Sequence, residues 1–179
     1  MKTLTIIVTM TMSAQSALAS FASDTLIQVP GGTRAVSSLS PGDSISAASS
    51  TSAPGDVPLK AQRISVINSS SPSIFSMVRL TYSLNGKNQD LVVNGDQPLS
   101  LSTGQLIRAC NLVTGQKLLT GNGGQAPILS SHMGSYSGRV ISIAGDSGDQ
   151  NNTLLIANGV VAGSYLAEVA LLDQRNGRI

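Results

Sequence analysis

Ile74-Phe75-Ser76-Met77-Val78-Arg79-Leu80-Thr81-Tyr82-Ser83-Leu84, then Asn85-Gly86, then a return through Leu91-Val92-Val93, is the stretch that decides the fold. Ile74, Val78, Leu80, Tyr82 and Leu84 fall on one parity, and Phe75, Met77, Arg79, Thr81 and Ser83 on the other. Apolar residues at every second position describe a strand with one buried face. Asn and Gly both tolerate positive φ, which the tight turn of a two-residue hairpin requires. Residues 91–93 are therefore expected to return beside residues 74–84.

The same grammar extends in both directions. Thr25-Leu26-Ile27-Gln28-Val29 is a short strand stopped by Pro30-Gly31-Gly32. Residues 34–39 follow, and Ser40-Pro41-Gly42-Asp43 is a second turn before a strand over 44–48. Residues 49–57 are rich in Ser, Pro and Gly and read as a mobile loop, residues 59–68 alternate loosely, and 68–73 is a polar break. Beyond the hairpin, Leu99, Leu101, Leu106, Ile107 and Leu112 continue the core. Residues 118–119, 128–129, 139–143 and 153–157 predict four more short strands, and 160–172 a last strand or a short helix. Turns every ~8–12 residues predict an all-β domain rather than βαβ units. No internal repeat of fixed period is visible.

Composition narrows the function. The 179 residues suit one domain. Charged residues make up 11% and the formal net charge is +2, which excludes an electrostatic grip on nucleic acid or anionic membrane. One Cys excludes an internal disulfide framework and a Cys-based zinc cluster, and one His excludes a multi-His metal site. With 3 Tyr, 2 Phe and no Trp, the core is aliphatic and a sugar-stacking platform is not expected. No cofactor and no metal are expected.

Residues 1–19 read as a secretory leader. Lys2 supplies the positive start, residues 4–12 an apolar run, and Ala17-Leu18-Ala19 an A-x-A cleavage site. The run is too short and too broken by Thr to span a bilayer, which needs ~20 apolar residues, and no later segment is apolar enough for stable membrane insertion. Position 20 is Ser rather than Cys, so a lipid anchor is not expected there. The expectation is a leader over 1–19 cut after Ala19, one all-β domain over 20–172 and a polar tail over 173–179. The product would be secreted or periplasmic, with another exported protein as the partner class left open.

Four blocks resemble a known family. Ser20-Phe21-Ala22-Ser23-Asp24-Thr25-Leu26-Ile27 is similar to an opening that normally begins Cys-Phe and reaches Thr-x-Val/Ile. The stretch from Gly32-Thr33-Arg34 through Leu39-Ser40-Pro41-Gly42-Asp43-Ser44-Ile45 is similar to I-x-x-L-x-x-G-D-x-V. Gln97-Pro98-Leu99, with Leu106-Ile107-Arg108-Ala109, Leu112, Gly115 and Leu118, is similar to T-x-x-H-P-L followed by V-x-A-x-x-L-x-x-G-x-x-L. Leu155-Ile156-Ala157-Asn158-Gly159-Val160-Val161-Ala162-Gly163-Ser164-Tyr165 is similar to a closing A-N-G-V-x-A-S-C-Y. In this order the blocks resemble the Hint domain of hedgehog autoprocessing segments and inteins. The resemblance implies a pseudo-symmetric, disc-shaped all-β fold whose two ends meet at the reactive centre.

It also implies self-attack. In that family the first side chain adds to the preceding carbonyl, a step that needs a nucleophile, a proton shuttle and oxyanion donors. The family uses Cys at the first position and His in the T-x-x-H block. Here Ser20 stands first, and Asn94-Gly95-Asp96-Gln97 places Asn for Thr and Gln for His. Ser164 stands where the hedgehog type has its second Cys, followed by Tyr165. Residues 149–154 hold no His, where inteins often carry one. A Ser hydroxyl is essentially un-ionised without a base, and losing general-base help costs ~10²–10⁴-fold. An amide shuttles no protons near neutral pH.

Three readings follow. The first is an exported Hint-type domain that has lost self-cleavage. The second is a Ser-dependent self-cleaving domain, with Ser20 as nucleophile for an N–O acyl shift and Asp96 or Asp24 as base. In it, Ser164 is the second nucleophile or orients water, and Asp96 and Gln97 are the polar groups around the scissile carbonyl. The third is a generic secreted β-rich binding or adhesion module.

Other motifs carry less. Gly145-Asp146-Ser147-Gly148 mimics a protease nucleophile stretch, but Asp149 replaces the final Gly and His132 lies too close in sequence to serve it. His132, in a Ser/Gly neighbourhood, is expected in a solvated loop. Cys110 is expected to be a buried structural thiol in an apolar stretch. Asp146, Asp149 and Asn151 lack the Glu that would close a calcium loop.

Overall fold

The computed structural model describes residues 19–49, 54–146, 154–165 and 167–168. The expected leader up to residue 18, the expected 173–179 tail, most of the Asp-Ser-Gly stretch and part of the expected mobile loop lie outside the described residues. Those described are almost wholly strand and turn. The deciding hairpin is built as its sequence predicts. Strands β1 (Phe21–Ala22), β2 (Leu26–Val29), β3 (Gly32–Ala35), β4 (Ser44–Ala48) and β5 (Leu59–Ser69) precede β6 (Ser73–Leu84) and β7 (Lys87–Val93). β6 and β7 pair antiparallel from Leu84↔Lys87 to Val78↔Val93. Asn85 and Gly86 both take positive φ, 52° and 76°, as a type I′ turn demands. Val78, Leu80 and Tyr82 are buried with Leu91 and Val93. Ile74 is 73% exposed despite its parity, and Met77, of the opposite parity, is buried.

The second half supplies β8 (Pro98–Ser100), β9 (Leu106–Arg108), β10 (Lys117–Leu119), β11 (Gln125–Gly138), β12 (Val140–Gly145), β13 (Leu154–Ala157) and β14 (Val160–Gly163). The sheet runs β10-β11-β6-β7-β1-β12-β5-β4-β13-β14-β8-β9, with β2 on β13 and β3 on β2. The region around 128 is not a short strand. β11 runs for 14 residues because its polar part, through Ser130, His132 and Ser135, is laddered against β6 from Ser130↔Thr81 to Gly138↔Ser73. The pairing partner supplies what local hydrophobicity lacks. His132 accordingly lies in this strand opposite Arg79, exposed, rather than in a loop. Of the stretch 160–172, Val160–Gly163 form the strand β14, and Tyr165, Ala167 and Glu168 are helical.

The backbone repeats itself where the sequence shows no period. A 3₁₀ turn at Val36–Ser38 follows β3, and another at Ala109–Asn111 follows β9. Leu39 and Leu112 then bury themselves in the same main core. Gly42 and Gly115 take φ of 93° and 91°. Their amides donate to Ile64 and Ile128 carbonyls at 2.8 and 2.9 Å. Upstream, Val36 N–H donates to Thr25 and Ala109 N–H to Gln97, at 2.8 and 2.9 Å. The halves also exchange ribbons: β5 of the first pairs with β12, and β11 of the second pairs with β6. The turn at 109–111 buries Ala109 and Leu112 and leaves Cys110 exposed with a free thiol. Cys110 is thus not the buried thiol expected of an apolar strand, because the chain turns there instead of extending.

Candidate functional site

Strand β1 is inserted between β7 and β12, with Phe21 opposite both Val93 and Ile141. The residues just before it are thereby carried into the middle of the molecule. Ala19 is 1% exposed and Ser20 3%. Three contacts hold the Ala19–Ser20 peptide on either side. Glu168 accepts a short hydrogen bond from the Ala19 amide. The Ser20 carbonyl accepts one from the Asn94 amide at 3.0 Å. Ser20 Oγ lies 2.9 Å from Ser142 Oγ on β12.

Gln97 ties the closing strand β14 to β8. Its side chain is wholly buried, and Nε2 donates to the Gly163 carbonyl at 2.6 Å and the Pro98 carbonyl at 3.2 Å. Glycine at 163 is what permits this approach. A Cβ there would stand 2.8 Å from Pro98 Cβ and 2.9 Å from Ala167 Cβ. Ser164 follows, 3% exposed, and its carbonyl accepts the Ala167 and Glu168 amides that begin the helical turn. Among the described residues, Ser164 Oγ, Gln97 Oε1 and Arg108 Nη2 are buried without a hydrogen-bond partner. Orphaned buried groups of this kind each cost ~1–3 kcal/mol, and structures keep few of them.

Asp96 turns aside to Arg108, with 3.0 Å between Oδ1 and Nη1. Glu168 is buried, and that burial, with the nearby charge of Asp96, holds its carboxyl above the ordinary glutamate range. The Ala19 amide and Arg108 pull the other way. A carboxyl in this setting keeps its proton more readily than a solvated one.

Of the residues singled out in the sequence, Ser20 and Asn94 touch directly. Gln97 reaches the carbonyl beside Ser164, and Asp96 acts on the centre only through Arg108 and Glu168. Asp24 is exposed in the turn that follows β1. His132 and Cys110 are exposed as well. Sequence reasoning missed Ser142, Arg108 and Glu168. Ser142 could have been found as the one hydroxyl inside the apolar run Val140-Ile141-Ser142-Ile143-Ala144, and Glu168 as the one charge in the apolar closing stretch. Among the described residues, no group of three or more His, Cys, Asp or Glu is placed to hold a metal ion, and no helix is long and apolar enough to cross a membrane.

No protein-family model matches the chain, and no curated protein is similar to it in sequence. Solved structures are similar to it in fold. An intein-like domain from Clostridium thermocellum is 17% identical with a TM-score of 0.65, over 81% of this chain and 98% of that one. The gp41-1 intein is 16% identical with a TM-score of 0.61, over 82% and 98%. A DnaB intein from Synechocystis sp. PCC 6803 is 13% identical with a TM-score of 0.64, over 82% and 98%.

Proposed function

Because this chain has the Hint fold found in inteins, we propose that it is an exported relative of self-processing domains that no longer cuts its own backbone. It serves instead as a rigid β module outside the cytoplasm. One observation carries the reading. Gln97, where the resemblance calls for a proton-shuttling His, is an amide committed to tying β14 to the second half through the Gly163 carbonyl. An amide can position a peptide and polarise a carbonyl, but it takes up no proton near neutral pH. The Ser20 hydroxyl rests against another hydroxyl, Ser142, rather than an imidazole. The centre is better suited to clamping a peptide than to breaking one.

The competing reading, a Ser-dependent acyl shift, is favoured by Glu168, a buried carboxyl set against the Ala19 amide. A carboxyl held above its usual range can carry a proton to a leaving amine. It touches the amide one residue upstream of the bond to be cut, which weighs against it as that donor.

The test uses the full chain with a folded reporter fused ahead of it. Incubation with hydroxylamine for days is expected to leave the precursor intact. Paired Ser20→Cys and Gln97→His substitutions are expected to produce release, since general-base help is worth ~10²–10⁴-fold. Release from the wild-type centre that stops on Ser20→Ala would overturn the reading.

A further inference from the structure

We propose that Glu168 is the counter-ion for the α-ammonium group of Ser20 in the chain from which the leader has been removed. The inference rests on the proposed export. In that step water adds across the Ala19–Ser20 amide. Ala19 departs with the new carboxylate, and Ser20 keeps the nitrogen as an amine that takes up a proton.

The structure already fixes where that amine would lie. Ser20 is held by its carbonyl on the Asn94 amide and by its hydroxyl against Ser142, and Phe21 is locked between β7 and β12. None of these contacts involves Ala19. Removing Ala19 takes away the amide that Glu168 now accepts from. The Ser20 nitrogen is the next backbone nitrogen along, and consecutive residues are only ~3.8 Å apart from Cα to Cα. A glutamate side chain, with its flexible torsions, covers such a step.

Charge points the same way. Among the described residues, the charged groups that bear on Glu168 are Asp96 and Arg108. These two are paired with each other at 3.0 Å, so their net charge is nil. Among the described residues, an ionised Glu168, 4% exposed, then has no cation of its own. A buried carboxylate is costly unless paired and hydrogen-bonded, and an α-ammonium brings three donors and the missing charge. Ala19, Ser20, Phe21 and Ala22 are all buried, so a leader peptidase reaches the bond only before the domain closes. The amine would be enclosed as the processed chain folds.

The experiment expresses the full chain in an exporting bacterial host. The secreted product is measured by intact mass, and its amines are then acylated with limiting reagent across a pH series. Exposed Lys60, Lys87 and Lys117 serve as internal standards. A product starting at Ser20 is expected, its α-amine titrating at least one unit above the ordinary ~7.7–8.0. Glu168→Gln is expected to bring that value back to the ordinary one or below, and to raise labelling at neutral pH about tenfold or more. A folded wild-type product with its α-amine at or below the ordinary value overturns the proposal without any variant, and leaves the export reading standing. A secreted product that starts at any other residue also overturns the proposal and leaves the export reading standing, whereas a chain that stays inside the cell uncut overturns both.

Discussion

The turns at residues 22–25 and 94–97 share one backbone frame and carry different contents. In the first, Thr25 N–H donates to Ala22 at 3.0 Å and Ser37 N–H to Ser23 at 3.3 Å. In the second, Gln97 N–H donates to Asn94 at 3.2 Å and Cys110 N–H to Gly95 at 2.9 Å. Yet the first turn only fastens the domain. Ser23 takes the Tyr136 hydroxyl through its amide and its Oγ, and Asp24 faces solvent. The second turn faces the centre, with Asn94 on Ser20, Gln97 on Gly163 and Asp96 on Arg108. The frame is a matter of backbone hydrogen bonds and a few apolar anchors, which many sequences satisfy. The centre is a matter of individual side chains. Such a frame tolerates changes in the side chains of the centre while its backbone hydrogen bonds stay intact.

If the two frames are equivalent, their anchors should be equally costly to remove. Leu39→Ala and Leu112→Ala each empty a buried site in the main core, 6% and 3% exposed. Each is expected to lose ~2–5 kcal/mol in urea unfolding of the full chain. Both losses should fall within that range, since the cost at fixed chemistry varies with how far each site can collapse. A near-neutral result at one of them would mean that the halves share an outline but not a load.

The contents should then separate the halves. Gln97→Ala removes the donor of a buried carbonyl at Gly163 and the tie between β14 and the second half. It is expected to cost ~1–3 kcal/mol, the range for leaving a buried acceptor unpaired. Thr25→Ala, at the matching place, trims a hydroxyl and a methyl from a buried site and is expected to cost ~1 kcal/mol, about one buried methyl. Equal losses, or a larger loss at Thr25, would place the closing contact somewhere other than Gln97.

Much of this frame was legible in the sequence. The Asn85-Gly86 turn, the alternation through Tyr82 and the glycine at 42 each follow from a local rule, and each was built as read. The long β11 was not, because residues 130–138 carry little apolar signal and become a strand only through pairing with β6. The repeat was implied by the family resemblance but left no period in the sequence, for a similar reason. Backbone hydrogen bonds define it, and Thr25 and Gln97 share a role while sharing no chemistry. At the centre, Ser20, Asn94, Gln97 and Ser164 were legible as substitutions within four resembling blocks. Ser142 and Glu168 stood out in the sequence only as single polar groups in apolar runs, and acquire partners when β12 and the closing turn are brought against residues 19 and 20.

The smallest expected effect is electrostatic, and it contrasts Asp96 with Asp24. In the chain that retains Ala19, burial first and Asp96 second raise the Glu168 carboxyl above its ordinary value. The folded state then binds a proton more tightly than the unfolded state does. Stability from this group is full below the ordinary glutamate range and is lost as pH rises from there through the raised value. Asp96→Asn removes one raising charge and frees Arg108, which lowers the Glu168 value, so both changes act in the same direction. The Glu168 titration, followed by carboxyl NMR on the precursor, is expected to move down, and the fall in stability with pH to shrink with it. Asp96 is about half exposed, so the change is modest. Asp24→Asn, in the matching turn but facing solvent, is expected to leave both curves where they were. A shift of equal size from Asp24 would mean that the charge environment of Glu168 is set by the whole surface rather than by the turn that faces it.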